Sequence, residues 1–215
     1  MLKVFVPLLL LFTACTEDIS QLNTETKRPA AVPAPTFFSN STRTLAGSLA
    51  SASVNTNVFR FTVSHWAMAV YQDEAQYDFN TRAIPQGWWT TMYRDVITDL
   101  RESTKLITAD ATLSAGEKAN KLAINDILEV YTYSVLVNTF GNIPYSQASD
   151  LSVELPQFDA QIDIYRGIIS DLDLAISIIG DNTITGAGVD QLGENDVIFN
   201  GNMQNWKQLA NSLKL

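Results

Sequence analysis

The segment SAGEKANKLAINDILEVYTYSVLVNTFGNIPYSQA, residues 114–148, decides the fold of this chain. Ser114 and Glu117 have the spacing of a capping box, in which the serine hydroxyl accepts from the N3 amide and the glutamate reaches back to the cap. The residues that follow are apolar on two faces, which is typical of a helix that lies between two layers. Gly141 ends this helix and Pro144 prevents its continuation. We therefore predict a long central helix with other helices packed on both sides.

Five other segments have the helical spacing of apolar residues, and no segment with strand periodicity is convincing. The predicted helices span residues 37–50, 57–71, 88–108, 160–179 and 203–215. The stretches between them are polar, Gly-rich or interrupted by Pro, and they predict long loops at 72–87, 149–158 and 180–202. A short turn between 88–108 and the central helix predicts an antiparallel hairpin, longer than the tetratricopeptide unit of roughly 34 residues. The predicted fold class is all-α, with TPR-like helical hairpins and long irregular loops.

The segment 160–179 has the strongest helical pattern in the chain. Asp159 precedes it and is the predicted N-cap. Its apolar residues recur at steps of three and four, which predicts one buried face. That face comprises Ile162, Tyr165, Ile169, Leu172, Ile176 and Ile179.

The composition favours a globular protein and argues against nucleic-acid binding. Of 215 residues, 46% are hydrophobic and 17% are charged, so a sizeable buried core is feasible. The formal net charge is −9, whereas nucleic-acid binding requires Lys and Arg that neutralise phosphates. The same charge, without any basic patch, argues against adsorption to anionic lipid.

Residues 1–14, MLKVFVPLLLLFTA, resemble a bacterial lipoprotein signal peptide. Their apolar run is much shorter than the about 20 residues of a membrane-spanning helix. The only cysteine, Cys15, follows directly, so cleavage would make it the lipidated first residue, and two or more acyl chains give a firm anchor. Residues 15–36 are polar and Pro-containing and predict an extended tether. The alternative is an ordinary signal peptide with an incidental cysteine.

The sequence lacks the motifs of most catalytic and metal sites, so we predict no catalytic residue, no metal and no cofactor. The only histidine, His65, lies among apolar and aromatic residues, which favours a packing role. There is no phosphate-binding loop, no HExxH and no cysteine pair. Composition alone does not exclude a two-carboxylate glycosidase. For Asp190, Glu194, Asn195 and Asp196 we predict turn or capping roles, with a calcium site, which their oxygen atoms suit, as the alternative.

Aromatic and polar residues around the loop 72–87 form the candidate ligand site. Sugars have flat apolar faces edged with hydroxyls, so aromatic rings beside amides and carboxylates suit them. The candidate contacts are Trp66, Tyr71, Tyr77, Asn80 and Trp88. Tyr77 is the best candidate for an exposed contact, whereas packing between helices is the alternative for Trp66 and Trp88.

Four blocks of sequence resemble, in the same order, the SusD/RagB family of Bacteroidetes outer-membrane lipoproteins. They are WTTMY at 89–93, LVNTFGNIPYSQA at 136–148, PQFD at 156–159 with YRGIISDLDLA at 165–175, and DVIFNGNMQNWKQLANSLKL at 196–215. The second block resembles the family's fGdiPYseA signature, with Asn142 where Asp is frequent. Members of the family are much longer, so the resemblance implies that residues 37–215 are a SusD-like domain that is incomplete at its C-terminus.

This resemblance implies a binding protein and not an enzyme. Family members are anchored in the outer membrane by lipid, and Glu17 and Asp18 after Cys15 resemble the signal that sends such lipoproteins to the cell exterior. There we expect the protein to bind an oligosaccharide or another nutrient and to deliver it to a SusC-like TonB-dependent transporter. The alternative is a helical docking module for the transporter, with ligand contacts in the missing C-terminal part.

Overall fold

The structure is a computed structural model that describes residues 31–215, apart from residues 54, 57, 58, 151 and 181–194. The predicted signal peptide, Cys15 and residues 15–30 of the predicted tether lie outside the described residues. Residues Pro33–Leu215 form one packed unit. Its helical elements are α1 (Ala34–Ala50), α2 (Phe59–Thr62), a 3₁₀ turn (Glu74–Gln76), α3 (Ile84–Thr90), a π-helical segment (Thr91–Ile97), α4 (Thr98–Ala109), α5 (Ala115–Phe140), α6 (Gln161–Ile178) and α7 (Met203–Lys214).

The predicted central helix is confirmed as α5. The hydroxyl of Ser114 accepts from the amide of Glu117 at 3.3 Å, and Gly141 follows the helix with a φ of 78°, a backbone angle that favours glycine. Helices α1, α4, α6 and α7 all pack against α5. Burial on more than one side, for example of Ile124 and Leu136 at 0% exposed, follows from this central position.

Helix α3, the π-helical segment and α4 follow one another without a break. The helix begins at Ile84 and not at the predicted residue 88, because Pro85 is tolerated in a first turn, where its missing N–H has no helical partner to lose. Where the π-helical segment meets α4, the hydroxyl of Thr98 donates to the carbonyl of Tyr93 at 2.9 Å. Helix α4 packs against α5 across the connection 110–114, as the predicted hairpin requires.

Two predictions for the first half of the unit are wrong. Helix α1 begins at Ala34, within the predicted tether, because Pro35 also fits a first helical turn. The predicted helix over 57–71 is confined to Phe59–Thr62 among the described residues. Ser64 has a φ of 59°, a left-handed angle that a helix of L-residues does not continue through, and turns and bends follow it.

The buried face of α6 was predicted only in part, since Leu172 and Ile179 are buried and Tyr165 and Ile176 pack against the core as predicted. The residues it buries are Ile164, Ile168, Leu172 and Ala175. Ile162 and Ile169 are 56% and 44% exposed, because the helix is apolar over more than one face and periodicity alone does not select the face that meets α5 and α7. Asp159 is not the N-cap, since Ala160 holds that position.

The all-α prediction with long irregular loops is confirmed. Within the described residues there is no strand, and one isolated antiparallel bridge joins Ile143 to Asp159. No helix in that part of the chain is both long and apolar enough to cross a membrane.

Candidate functional site

An aromatic groove opens between the end of α1, the start of α3 and the end of α5. It encloses about 740 Å³, within the range of about 300–1,000 Å³ that small-molecule sites occupy. Its aromatic walls are Phe59, Phe79, Trp88 and Phe140, and its polar lining residues are Thr56, Thr62, Asn138 and Thr139. A mostly apolar concave surface with a few polar groups is the usual form of a ligand site.

The structure brings one of the five predicted ligand contacts, Trp88, into this aromatic groove. Its ring is 7% exposed and packs edge to face on Phe59, with the ring centroids 5.4 Å apart. Trp88 therefore packs between helices, which was the alternative prediction for it. It also lines the wall of the groove.

The other four predicted contacts lie on the surface outside the groove. The exposed fractions are 67% for Tyr77, 56% for Tyr71 and 41% for Trp66, and Asn80 is exposed as well. The guanidinium of Arg60 lies 4.6 Å from the ring centroid of Trp66, and that of Arg82 lies 5.1 Å from the ring centroid of Tyr71. These cation–π contacts cover one face of each of the two rings.

Sequence reasoning missed Phe59, Asn138 and Phe140 as groove residues. Phe59 belongs to a segment predicted as an ordinary helix, and the other two belong to the last turn of the central helix. The only usable signal for Asn138 and Phe140 was their position just before Gly141. A long helix that ends inside a domain leaves the side chains of its last turn free to contact neighbouring loops.

The FGNIPY signature ties the end of α5 to the start of α6. The Asn142 side-chain oxygen accepts from the amide of Gln161 at 3.0 Å, so it satisfies a free N–H in the first turn of α6. The Asp159 carboxylate accepts from the amides of Tyr145 and Ser146 at 2.9 and 2.7 Å. Burial opposes the ionisation of Asp159, but the hydrogen bonds from Ser146 and Tyr145 outweigh it and lower its pKa. These contacts give the signature a structural role.

The tyrosine of the signature, Tyr145, lies against α6 at Gly167. A Cβ atom at Gly167 would lie 2.7 Å from the Tyr145 ring, closer than side chains approach one another, so the missing side chain makes room for the ring. The Tyr145 hydroxyl donates to the carboxylate of Asp171 at 2.5 Å. The ring also packs edge to face on Tyr133, with the centroids 4.8 Å apart.

A second, polar cavity lies between α4, α5, α6 and residues 141–148, which are called here the signature loop. It encloses about 350 Å³ and is called here the carboxylate cavity. Its polar lining residues are Arg101, Asp126, Glu129, Tyr133, Tyr145, Ser146 and Asp171. Burial, with added repulsion from Glu129 and Asp171, raises the pKa of Asp126 to about 7. The protein therefore holds a carboxyl group here that it does not fully neutralise with its own charges.

Replacing Asp126 by asparagine is expected to stabilise the protein above pH 7 and to have little effect near pH 4. The folded pKa of Asp126 is raised from 3.8 to about 7, so the folded state retains a proton that the unfolded state loses across this window. Stability of the parent protein therefore falls as pH rises from about 4 to 7. The variant has no carboxyl group to lose a proton at this position. We therefore expect its free energy of unfolding at pH 8 to exceed that of the parent protein by about 1–2 kcal/mol.

Urea unfolding of the parent protein and of Asp126→Asn at pH 4.5 and 8 measures this difference. Asp173→Asn is the control, because Asp173 is exposed on α6 and is not part of the cavity lining. A gain of the same size at both pH values would contradict the electrostatic explanation.

The calcium alternative is not supported at Asp196, and Asp190 and Glu194 lie outside the described residues. Asp196 is 2% exposed, and within the described residues its carboxylate accepts only from N–H donors, which are the amides of Ile198, Phe199 and Gly201 and the indole of Trp206. Such a set of donors repels a cation, so Asp196 has a turn role. In the described part of the chain, no group of three or more His, Cys, Asp or Glu side chains could hold a metal ion.

Comparison with known proteins identifies one family over almost the whole chain. The SusD-like family, described as "Starch-binding associating with outer membrane", matches residues 26–215. The search among curated proteins gives no match.

Two solved structures have the same fold. A chitin-binding protein is 19% identical with a TM-score of 0.64, over 84% of this chain and 37% of its own length. A SusD/RagB family protein from Bacteroides thetaiotaomicron is 21% identical with a TM-score of 0.64, over 86% of this chain and 37% of its own length. The chain thus spans little more than a third of the length of these relatives.

Proposed function

The chain belongs to the SusD-like family, and from this premise we propose that it binds an oligosaccharide at the outer membrane and delivers it to a SusC-like TonB-dependent transporter. The observation that carries the binding step is the aromatic groove, which combines the concave shape of a ligand site with aromatic walls. The names of the family and of the chitin-binding relative support a glycan as the ligand class.

The groove offers both kinds of contact that a sugar needs. Phe79 is 39% exposed at its wall, so its ring can stack on the apolar face of a sugar. Asn138 and Thr139 line the same groove and can bond to sugar hydroxyls. No covalent step is part of this proposal, because stacking and hydrogen bonding provide the affinity.

The anchoring part of the proposal depends on the N-terminal segment. Lipid on Cys15 would hold the protein on the outer membrane, facing the cell exterior, and the tether would separate the helical unit from the bilayer. Capture on that side of the membrane supplies the transporter with ligand.

Titrating the full chain with maltooligosaccharides and chitooligosaccharides by calorimetry tests the binding step. Phe79→Ala is expected to weaken binding about tenfold, which corresponds to about 1.4 kcal/mol. Tyr77→Ala is the matched control, because Tyr77 is an exposed aromatic residue two positions away and is not part of the groove lining.

Each outcome decides between sites or functions. Weaker binding with Tyr77→Ala and unchanged binding with Phe79→Ala would place the glycan on the exposed loop and overturn the groove. No binding of either oligosaccharide, together with capture of the transporter, would favour the docking-module alternative.

A further inference from the structure

The carboxylate cavity holds more negative charge than the described residues around it neutralise. Three carboxylates line it, from Asp126, Glu129 and Asp171, against the single guanidinium of Arg101. The charge of Arg101 is paired with Glu129, to which its Nε donates at 2.9 Å, and its terminal nitrogens donate to the carbonyl of Ala148 and to the Tyr133 hydroxyl. Asp126 and Asp171 are therefore left without a cationic partner among the described residues.

The same cavity has hydrogen-bonding capacity that these residues leave unused. Asp126 accepts no hydrogen bond from any residue that the structure describes. Tyr133 is 1% exposed, and its hydroxyl accepts from Arg101 at 3.0 Å. Its own proton has no acceptor within the described part of the chain. A buried donor with no acceptor costs free energy unless a ligand or water supplies one.

These features together select a ligand by its chemistry. Unpaired carboxylates favour a cation, and the lack of a metal-binding group of side chains in the described residues favours an organic one. The free proton of the Tyr133 hydroxyl favours a ligand that also carries a hydrogen-bond acceptor. A volume of about 350 Å³ is at the small end of ligand sites, which span about 300–1,000 Å³.

We propose that the carboxylate cavity is a second binding site, separate from the aromatic groove, for a small hydroxylated ammonium compound of monosaccharide size. The ammonium group donates to the carboxylates of Asp126 and Asp171, and a ligand hydroxyl accepts from Tyr133. The charged and titratable groups that face this ligand are Arg101, Asp126, Glu129, Tyr133, Tyr145 and Asp171. The raised pKa of Asp126 supports this assignment, because it shows a carboxyl group without sufficient positive charge nearby.

Calorimetry of the full chain with glucosamine and with glucose at pH 7 tests the proposal. The two sugars differ in one position, where glucosamine has an ammonium group and glucose a hydroxyl. We expect glucosamine to bind at least tenfold more tightly than glucose. Asp126→Asn is expected to remove at least tenfold of the glucosamine affinity. Asp173→Asn should leave it unchanged, because Asp173 lies on the same helix as Asp171 but pairs with Lys214 and is not part of the cavity lining.

Equal binding of the two sugars, absence of binding, or an unaltered glucosamine affinity in Asp126→Asn would each overturn the proposal. Unfolding of the variant, monitored in parallel, separates loss of the ligand from loss of the fold. Phe79→Ala, the groove variant, should leave glucosamine affinity unchanged, so failure of this proposal and failure of the oligosaccharide site are distinguishable.

Discussion

Replacing Asp196 by alanine is expected to lower the free energy of unfolding by about 3–5 kcal/mol. Its buried carboxylate accepts from the amides of Ile198, Phe199 and Gly201 at 3.0, 3.0 and 2.9 Å and from the indole N–H of Trp206 at 2.6 Å. Alanine would leave these four donors without an acceptor. Each buried donor without a partner costs about 1–3 kcal/mol, and water can reach part of this set in the variant.

The effect is expected to spread to the helices on either side of this turn. Trp206, in α7, is 0% exposed and packs edge to face on Phe38 of α1 and on Phe199, with centroid distances of 6.0 and 5.2 Å. The Ser39 hydroxyl donates to the Asn195 carbonyl at 2.8 Å, which holds α1 on the same turn. Loss of the Asp196 acceptor therefore loosens the contact between α1 and α7.

Urea unfolding followed by tryptophan fluorescence measures the change. Asp196→Asn should have an intermediate effect, because the amide keeps one acceptor oxygen and points a donor at other donors. Asp163→Ala is the control, since Asp163 is exposed and forms an ion pair with the exposed Arg166. An unchanged free energy of unfolding in Asp196→Ala would show that Trp206 is held by packing alone.

The sequence predicts the central helix well because its signals are local. The Ser114 cap, the apolar faces and Gly141 each act within one or two turns, and α5 begins and ends where they indicate. The face of α6 was predicted only in part, because Leu172 and Ile179 are buried whereas Ile162 and Ile169 are exposed. Its apolar residues satisfy more than one face, and the choice depends on contacts with α5 and α7, which are remote in sequence.

The candidate site was predicted less well than the fold for the same reason. The aromatic groove joins Leu49, Phe59, Phe79 and Phe140, which come from four separate segments. The exposed rings of the loop, such as Tyr77, are visible in the sequence as polar-aromatic clusters. The wall of a groove depends instead on where the ends of different helices lie relative to one another, and local sequence patterns do not show this.

Replacing Arg101 by methionine is expected to lower the free energy of unfolding by about 2–3 kcal/mol at pH 8. The guanidinium pairs with Glu129 at 2.9 Å, and the two side chains are 35% and 20% exposed, so the cost is smaller than that of breaking a fully buried pair. Methionine retains the apolar stem, so the change removes mainly the charge. It also removes the hydrogen bond to the carbonyl of Ala148, which fastens the signature loop.

The decrease in the free energy of unfolding caused by Arg101→Met should depend on pH, because Glu129 is titratable. Burial raises the pKa of Glu129, and Arg101 offsets part of this effect, so removing Arg101 moves the folded pKa further above the ordinary value. The carboxylate is then penalised above that folded pKa, and the penalty disappears as pH falls and the group becomes neutral. We therefore expect a smaller loss in Arg101→Met at pH 5 than at pH 8.

A second substitution separates the charge from the loop contact. Glu129→Gln added to Arg101→Met should recover part of the loss at pH 8, because it removes the unpaired charge. Arg166→Met is the control, since Arg166 and Asp163 form an exposed pair that contributes about 0.5 kcal/mol or less. Equal losses at both pH values, with no recovery from Glu129→Gln, would mean that Arg101 stabilises the protein through the signature loop and not through its charge.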